Sequence, residues 1–278
     1  MTPEQLSLYA DCASCVGLCC RALYFSRLDG FPQDKPVGVA CRNLCEDYRC
    51  RIHATLKQKG MKGCLGYDCI GAGQAAVKKG VSHDADLFAV YLKLFPLHQM
   101  LWYLCEAVQM EETISFHKQL HEHLQTIQTV CAQPWQELLT CDSEKLHKQT
   151  SELLKQTIAQ KKLRQYFHSD HLIGKRLSKR KLRNADFTMK ALIAADLSCC
   201  DLQGTCFLGS DLRDCNLSAS DLRSCFFLTQ MQINSAIGNA QTRLPKHLLH
   251  PTTGSNVQIR VRNRPKIPYK STKRDYGR

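Results

Sequence analysis

The sequence predicts a multi-part fold: a small cysteine-rich, metal-bound head over 1–80, an α-helical unit over 83–167, and a solenoid of short repeats with a C-terminal capping helix over 170–240. Three observations lead to this prediction. Cysteines crowd the start of the chain, apolar residues then recur at helical spacing, and a five-residue period follows. The remaining segment, 251–278, is expected to be a basic disordered tail.

Composition favours a cytoplasmic protein with clustered metal ligands. The chain has 278 residues, of which 17 are cysteines, and nine of these lie in the first 69 residues. No apolar stretch reaches the roughly 18 residues that a membrane span requires. The N-terminal segment has neither a basic start nor a long apolar core, so we expect no secretory signal. In a reducing cytosol, clustered thiols indicate metal or cluster ligands rather than disulfides.

The head contains two sets of cysteines at spacings that suit metal ligation. The first set lies in the segment CASCVGLCC, where CxxC lets two thiolates reach one metal and Gly17 frees the backbone to curl. The second set lies over 41–69, and Gly71 to Gly73 is predicted to form a turn near the metal. Cys45 is left without a role. The predicted ligands are Cys12, Cys15, Cys19, Cys20, Cys41, Cys50, Cys64 and Cys69.

Eight thiolates suit two tetrahedral zinc sites or one or two iron–sulfur clusters, and soft thiolates do not distinguish these alternatives. Sites made only of cysteine usually leave no open position, which favours a structural metal. The first quarter of the chain resembles the family of cysteine-rich zinc- or iron-chelating domains. The pattern of that family is CxxCxGxCC, then a Cys, then CxIY/H, then two Cys about five residues apart. The eight cysteines map onto this pattern.

The middle of the chain reads as helices with polar faces rich in Lys, Gln and Glu. Pro96 is expected to kink or break the first of them. Ser143 is a plausible N-cap of a later helix. The apolar positions of the first helix are Leu87, Val90, Tyr91, Leu94, Leu101, Leu104, Cys105 and Val108.

From 170 to 229 a large apolar residue recurs at every fifth position, and a fixed short period is the signature of a solenoid. A small residue stands two positions before it in the later repeats. The large residues are Leu172, Leu177, Leu182, Phe187, Leu192, Leu197, Leu202, Phe207, Leu212, Leu217, Leu222 and Phe227.

This pattern resembles the A(D/N)LXX unit of the pentapeptide-repeat family. The resemblance implies a right-handed quadrilateral β-helix with four units in each coil and about three coils, roughly 14 Å of stack at strand spacing. Lys175, Arg180 and Lys190 stand where that family places a small inward residue, which predicts irregular packing and a frayed first coil. A capping helix is predicted over 231–240, where it would cover the open end of the solenoid.

The whole chain resembles bacterial pentapeptide-repeat proteins with a cysteine-rich head, whose function is generally not established. The resemblance implies an interaction scaffold that binds a protein through its repeats, and a homodimer through the capped ends. Metal handling by the head, as sensing, storage or delivery, is one alternative. Two further alternatives remain. One is an iron–sulfur or zinc-dependent modification enzyme, although no triad, nucleotide-loop or paired-carboxylate motif stands out in the sequence. The other is a DNA mimic that interacts with gyrase, which requires an acidic face that the repeats carry only weakly.

The tail could contact nucleic acid or another acidic surface because it contains eight Lys/Arg and one acid. The predicted contacts are Arg260, Arg262, Arg264 and Lys266.

Overall fold

The computed structural model describes residues 1–250, so the basic tail and its four predicted contacts lie outside the described residues. Within this range no helix is long and apolar enough to cross a membrane. The α-helices are α1 (Leu18–Ala22), α2 (Lys62–Gly66), α3 (Ala72–Lys78), α4 (Asp84–Ala107), α5 (His117–Ala132), α6 (Trp135–Thr140), α7 (Ser143–Gln160) and α8 (Gln230–Ser235). Short 3-10 turns span Cys12–Ser14, Arg27–Asp29, His53–Thr55 and Glu111–Phe116.

The head has little regular structure and a small apolar cluster of its own. Four buried side chains form this cluster, namely those of Phe25, Phe31, Leu56 and Met61. At about 1.5–3 kcal/mol for each buried side chain, this cluster contributes far less than the conformational entropy lost by ordering a segment of this length. This cluster alone therefore does not explain the shape of the head, whose other buried apolar residues belong to the main core, namely Leu8, Leu18, Ala22, Ile70, Ala72 and Ala76.

The helical unit is built around α4, which packs against α3, α5, α6 and α7. The helix continues through Pro96, so the predicted break does not occur. The carbonyl that Pro96 leaves without a donor belongs to Leu92, whose side chain is exposed, so water can reach this turn. The N-cap of α7 is Asp142 rather than the predicted Ser143, because the Asp142 side chain accepts a 2.9 Å hydrogen bond from the Lys145 amide.

The repeats pair at a separation of twenty residues, as four five-residue units in each coil require. Parallel bridges join His171 to Ala191, Arg176 to Asp196, Lys181 to Asp201, and Asp186 to Cys206. Within residues 1–250 these pairings are isolated bridges, and no continuous strand is formed. All twelve large residues are buried. Their side chains therefore fill the interior of the stack.

We number the coils 170–189, 190–209 and 210–229, and name the four sides by their large residues. The first side contains Leu172, Leu192 and Leu212, the second Leu177, Leu197 and Leu217, the third Leu182, Leu202 and Leu222, and the fourth Phe187, Phe207 and Phe227.

The first coil is complete, and the prediction that it frays is wrong. All four of its sides bridge to the second coil. The buried Lys190 is accommodated because its Nζ donates to Asp170 Oδ1 at 3.1 Å and to the Ser169 carbonyl at 3.2 Å. Lys175 and Arg180 are exposed, since no complete coil lies above them. Large side chains are therefore tolerated at these three positions, which lie in the first coil or at the start of the second.

The C-terminal end is capped by α8, which ends at Ser235, earlier than predicted. Thr229 and Gln232 form a capping box at its start. Beyond α8, Ile237 bridges to the second side and Arg243 to the third side, so the chain adds part of a fourth coil. The exposed edge of the last coil is thus covered by a helix and by two further bridges.

The fourth side attaches the repeats to α4. Trp102 Nε1 donates to the Leu228 carbonyl at 3.2 Å, and Glu106 Oε2 accepts from the Phe227 amide at 2.7 Å. The Tyr103 ring meets Phe227 edge-on. One continuous apolar core consequently runs from the helical unit into the coils.

Candidate metal centre and outer surface of the repeats

The eight predicted ligands come from separate segments of the head and are all free thiols. The two cysteines of the CxxC motif, Cys12 and Cys15, stand at the start and just past the end of a 3-10 turn. Cys19 and Cys20 lie in α1, and Cys64 lies in α2. Cys41, Cys50 and Cys69 lie in the connecting loops.

A first group of thiols forms around Gly73. A Cβ at this glycine would stand 2.9 Å from Cys15 Sγ and 3.7 Å from Cys69 Sγ, so the missing side chain makes room for both sulfurs. Burial raises the pKa of Cys12 to about 11, and the nearby Cys19 and Cys15 add to the shift. The predicted turn is formed by Gly71, whose left-handed backbone caps α3 and directs the helix toward these sulfurs.

A second group forms beside the small apolar cluster of the head. The Cys41 amide donates to the Cys20 carbonyl at 2.9 Å, and Cys41, Cys50 and Cys64 pack against the cluster. Burial raises the pKa of Cys64 to about 12, with further contributions from nearby thiols that include Cys19. The sulfurs of Cys19 and Cys20 lie 4.0 Å apart and link the two groups.

Cys45, which fits no predicted role, also belongs near the second group. It is among the thiols whose charge raises the pKa of Cys50, after burial and Cys41. Its amide donates to the Arg49 carbonyl at 2.8 Å, in a tight turn that precedes Cys50. The sequence signal for Cys45 was that it is one cysteine more than the eight of the spacing pattern.

The thiols form two neighbouring groups rather than a finished coordination sphere. Within the part of the chain that the structure describes, no three His, Cys, Asp or Glu side chains are placed to hold a metal ion. The donor set nevertheless fits a soft metal, since it consists of sulfur atoms that several segments of the head bring near one another.

The outer surface of the repeats differs from side to side. On the fourth side, the outward residues Cys206, Phe226 and Leu228 are buried, and they face the rest of the chain. On the second and third sides of the later two coils, the residues directly before and after each large residue are polar, and none of them is buried. These residues, which we call the docking face, are Asp196, Ser198, Asp201, Gln203, Asn216, Ser218, Asp221 and Arg223.

Most acids of the later coils already have a cationic partner. Arg213 pairs with Asp211 and Arg223 with Asp221, each at 2.6 Å. Lys62 of the head pairs with Asp214 at 2.8 Å. Because these charges are balanced locally, the repeats do not present the acidic face that a DNA mimic needs.

Glu106 is a buried carboxylate where α4 meets the last coil, and sequence reasoning missed it. Its side chain is 14% exposed, and burial raises its pKa to about 8, although the hydrogen bond from the Phe227 amide opposes the shift. His247 Nε2 lies 3.7 Å from Glu106 Oε1, and burial lowers the pKa of this imidazole. The only sequence signal for Glu106 was the presence of an acidic residue within an apolar helix segment.

Comparison with known proteins gives two matches. The family model for pentapeptide repeats matches residues 195–227, in eight copies. The uncharacterized protein YybG of Bacillus subtilis (strain 168) is 36% identical over 263 residues, which cover 88% of this chain and 94% of YybG. No solved structure matches the chain.

Proposed function

We propose that this chain, which belongs to the same family as YybG, is an interaction scaffold whose repeats bind a protein partner and whose head binds zinc or an iron–sulfur cluster. The observation that carries the proposal is the contrast between the sides of the repeats. The fourth side attaches to α4, whereas the docking face is polar and is not buried by the residues that the structure describes.

The docking face suits a scaffold because its backbone is held in place before a partner arrives. Amides of each coil donate to the next, as from Leu197 to Asn216 at 2.9 Å and from Leu202 to Asp221 at 3.0 Å. A surface that is already ordered loses little conformational entropy on binding. Its mixture of hydroxyl, amide and charged groups offers both donors and acceptors.

In this proposal the head is a structural metal site. Cys12, Cys15, Cys19 and Cys69 would hold one centre, and Cys20, Cys41, Cys50 and Cys64 would hold a second centre or the other edge of a cluster. A structural zinc ion supplies about 10–16 kcal/mol of binding free energy to small domains. That amount would offset the weak apolar cluster of the head.

Metal content tests the head. The full chain would be purified anaerobically and examined by metal analysis and visible absorption. About one or two zinc ions per chain without colour would indicate zinc, whereas iron, sulfide and a broad band near ~400 nm would indicate a cluster. Cys15→Ser and Cys64→Ser should lose metal, and Cys199→Ser, on the surface of the repeats, should retain it. A wild-type protein without metal would refute this half of the proposal.

Site-specific disruption tests the docking face. Ser198→Arg with Ser218→Arg places two bulky cations on the second side, and Gln149→Arg with Gln156→Arg is the matched change on α7. Partners captured from the native cells would be identified by mass spectrometry and then measured with purified proteins. The expected result is a partner that binds wild type and the α7 variant but not the docking-face variant. Equal binding to all three would exclude this surface.

A further inference from the structure

The first coil carries a concentration of positive charge that the later coils lack. Six exposed Lys/Arg occur within nine consecutive residues on its second and third sides. The coil has two acids, Asp170 and Asp186, which lie on the first and fourth sides. The cations, which we call the basic end, are Lys175, Arg176, Lys179, Arg180, Lys181 and Arg183.

Most of these cations have no acidic partner among the described residues. Among the described residues, Arg183 is the only member of the basic end within 4.0 Å of a carboxylate, with its Nη1 3.5 Å from Asp201 Oδ2. In the third coil, by contrast, Arg213 and Arg223 each lie 2.6 Å from an aspartate. Like charges that crowd together without counter-charges destabilise a fold. The basic end therefore adds little to the stability of the fold, and stability does not explain why these cations are there.

Two backbone donors lie among these side chains. In the second coil, the amide of Asp196 donates to the Lys175 carbonyl at 2.8 Å, and that of Asp201 donates to the Arg180 carbonyl at 3.1 Å. The equivalent amides of the first coil belong to Arg176 and Lys181. By this equivalence both N–H groups point away from the second coil, toward the open end, where no complete coil follows. Amides that stand beside several cations are suited to anionic oxygen atoms.

We propose that the basic end binds the phosphodiester backbone of a nucleic acid. The cations continue from the second side of the first coil to the third, and no acidic residue stands between them. Such a continuous row suits a linear polyanion with regularly spaced charges. An acidic protein would need an equally uninterrupted row of carboxylates. The interaction requires neither the metal nor the protein partner proposed above, because it uses other residues, which belong to the first coil rather than to the later two.

Binding to labelled nucleic acids tests this assignment in the full chain. The probes are a duplex DNA of about 20 base pairs, roughly two helical turns, and a single-stranded RNA of similar length, both measured by fluorescence anisotropy. One variant replaces four cations of the basic end with glutamine, namely Arg176, Lys179, Lys181 and Arg183. A control makes the same change in net charge at exposed lysines of the helical unit, namely Lys118, Lys145, Lys148 and Lys155.

The basic-end variant should bind at least about tenfold more weakly, and the control should match wild type. If each lost cation contacts one duplex phosphate, the slope of log K against log salt falls in magnitude by about 3 to 4. Thermal unfolding followed by circular dichroism establishes that both variants are folded. The RNA and duplex arms identify which nucleic acid the surface prefers.

Four results would overturn the proposal. Wild type could fail to bind both probes, or the helical-unit control could lose as much affinity as the basic-end variant. Binding could be lost when Arg260, Arg262, Arg264 and Lys266 are replaced by glutamine while the basic-end variant still binds, which would place the contact in the tail. Poly-L-glutamate could bind to the basic end as tightly as the nucleic acids do, which would identify an acidic polypeptide as the partner.

Discussion

Replacing Glu106 with glutamine should remove a pH-dependent loss of stability. The pKa of this carboxyl is about 8 in the folded protein, compared with 4.5 for an exposed glutamate. Between these values the folded state retains a proton that the unfolded state has released. The free energy of unfolding therefore decreases as pH rises through this window, by at most about 1.4 kcal/mol for each pH unit.

Over roughly 3.5 pH units the ceiling is about 5 kcal/mol, and partial solvation of a side chain that is 14% exposed reduces it to a few kcal/mol. Glutamine cannot ionise, but it keeps an oxygen that can accept the hydrogen bond from the Phe227 amide. The nearby His247 does not reverse the sign, because burial keeps its imidazole neutral near pH 7. The variant should match wild type near pH 5 and exceed it at pH 8.

Urea unfolding between pH 5 and 9 measures this difference. Glu112→Gln is the matched control, because a hydrogen bond from Lys161 lowers the pKa of that carboxyl and places its effect below this pH range. Identical pH slopes for wild type and Glu106→Gln would refute the reasoning. A variant less stable than wild type at pH 8 would also refute it.

Three further changes test other parts of the structure. Gly73→Ala places a methyl group 2.9 Å from Cys15 Sγ, so metal analysis should show a lower metal content while circular dichroism retains the helices; unchanged metal content would contradict the proposed first centre. Phe207→Ala removes a fully buried ring from the middle coil and should cost about 3–5 kcal/mol in urea unfolding, and a loss below ~1 kcal/mol would indicate a poorly packed interior. Asp142→Ala should cost about 1 kcal/mol of unfolding free energy and Asp142→Asn much less, because asparagine keeps the cap on the Lys145 amide; equal losses would exclude the cap.

The repeats were predictable because one rule is applied at every fifth residue. Each large residue faces the interior whatever its neighbours are, so the pairing of 171 with 191 follows from the period alone. The exception, Lys190, was not predictable in the same way. Its tolerance depends on the Asp170 carboxylate and the Ser169 carbonyl, which lie one coil earlier at the open end.

The candidate site was predictable as a set of residues but not as an arrangement. Cysteine spacing identified the thiols, whereas the role of Gly73 depends on how α3 packs against two loops. The unusual pKa of Glu106 was beyond sequence reasoning for the same reason. Its carboxylate is desolvated by residues of the last coil, such as Phe227, more than a hundred positions away in the chain.

The attachment of α4 to the last coil also bears on how this architecture can vary in length. Trp102 donates to the Leu228 carbonyl and Glu106 accepts from the Phe227 amide, so both hydrogen bonds join α4 to the third coil. Insertion of four repeats before the first coil would lengthen the stack by one strand spacing, about 4.8 Å, and leave this junction intact. Related chains with more coils should therefore have gained them at the end away from α8. The number of residues from the third coil, which Trp102 contacts, to the cap should stay constant.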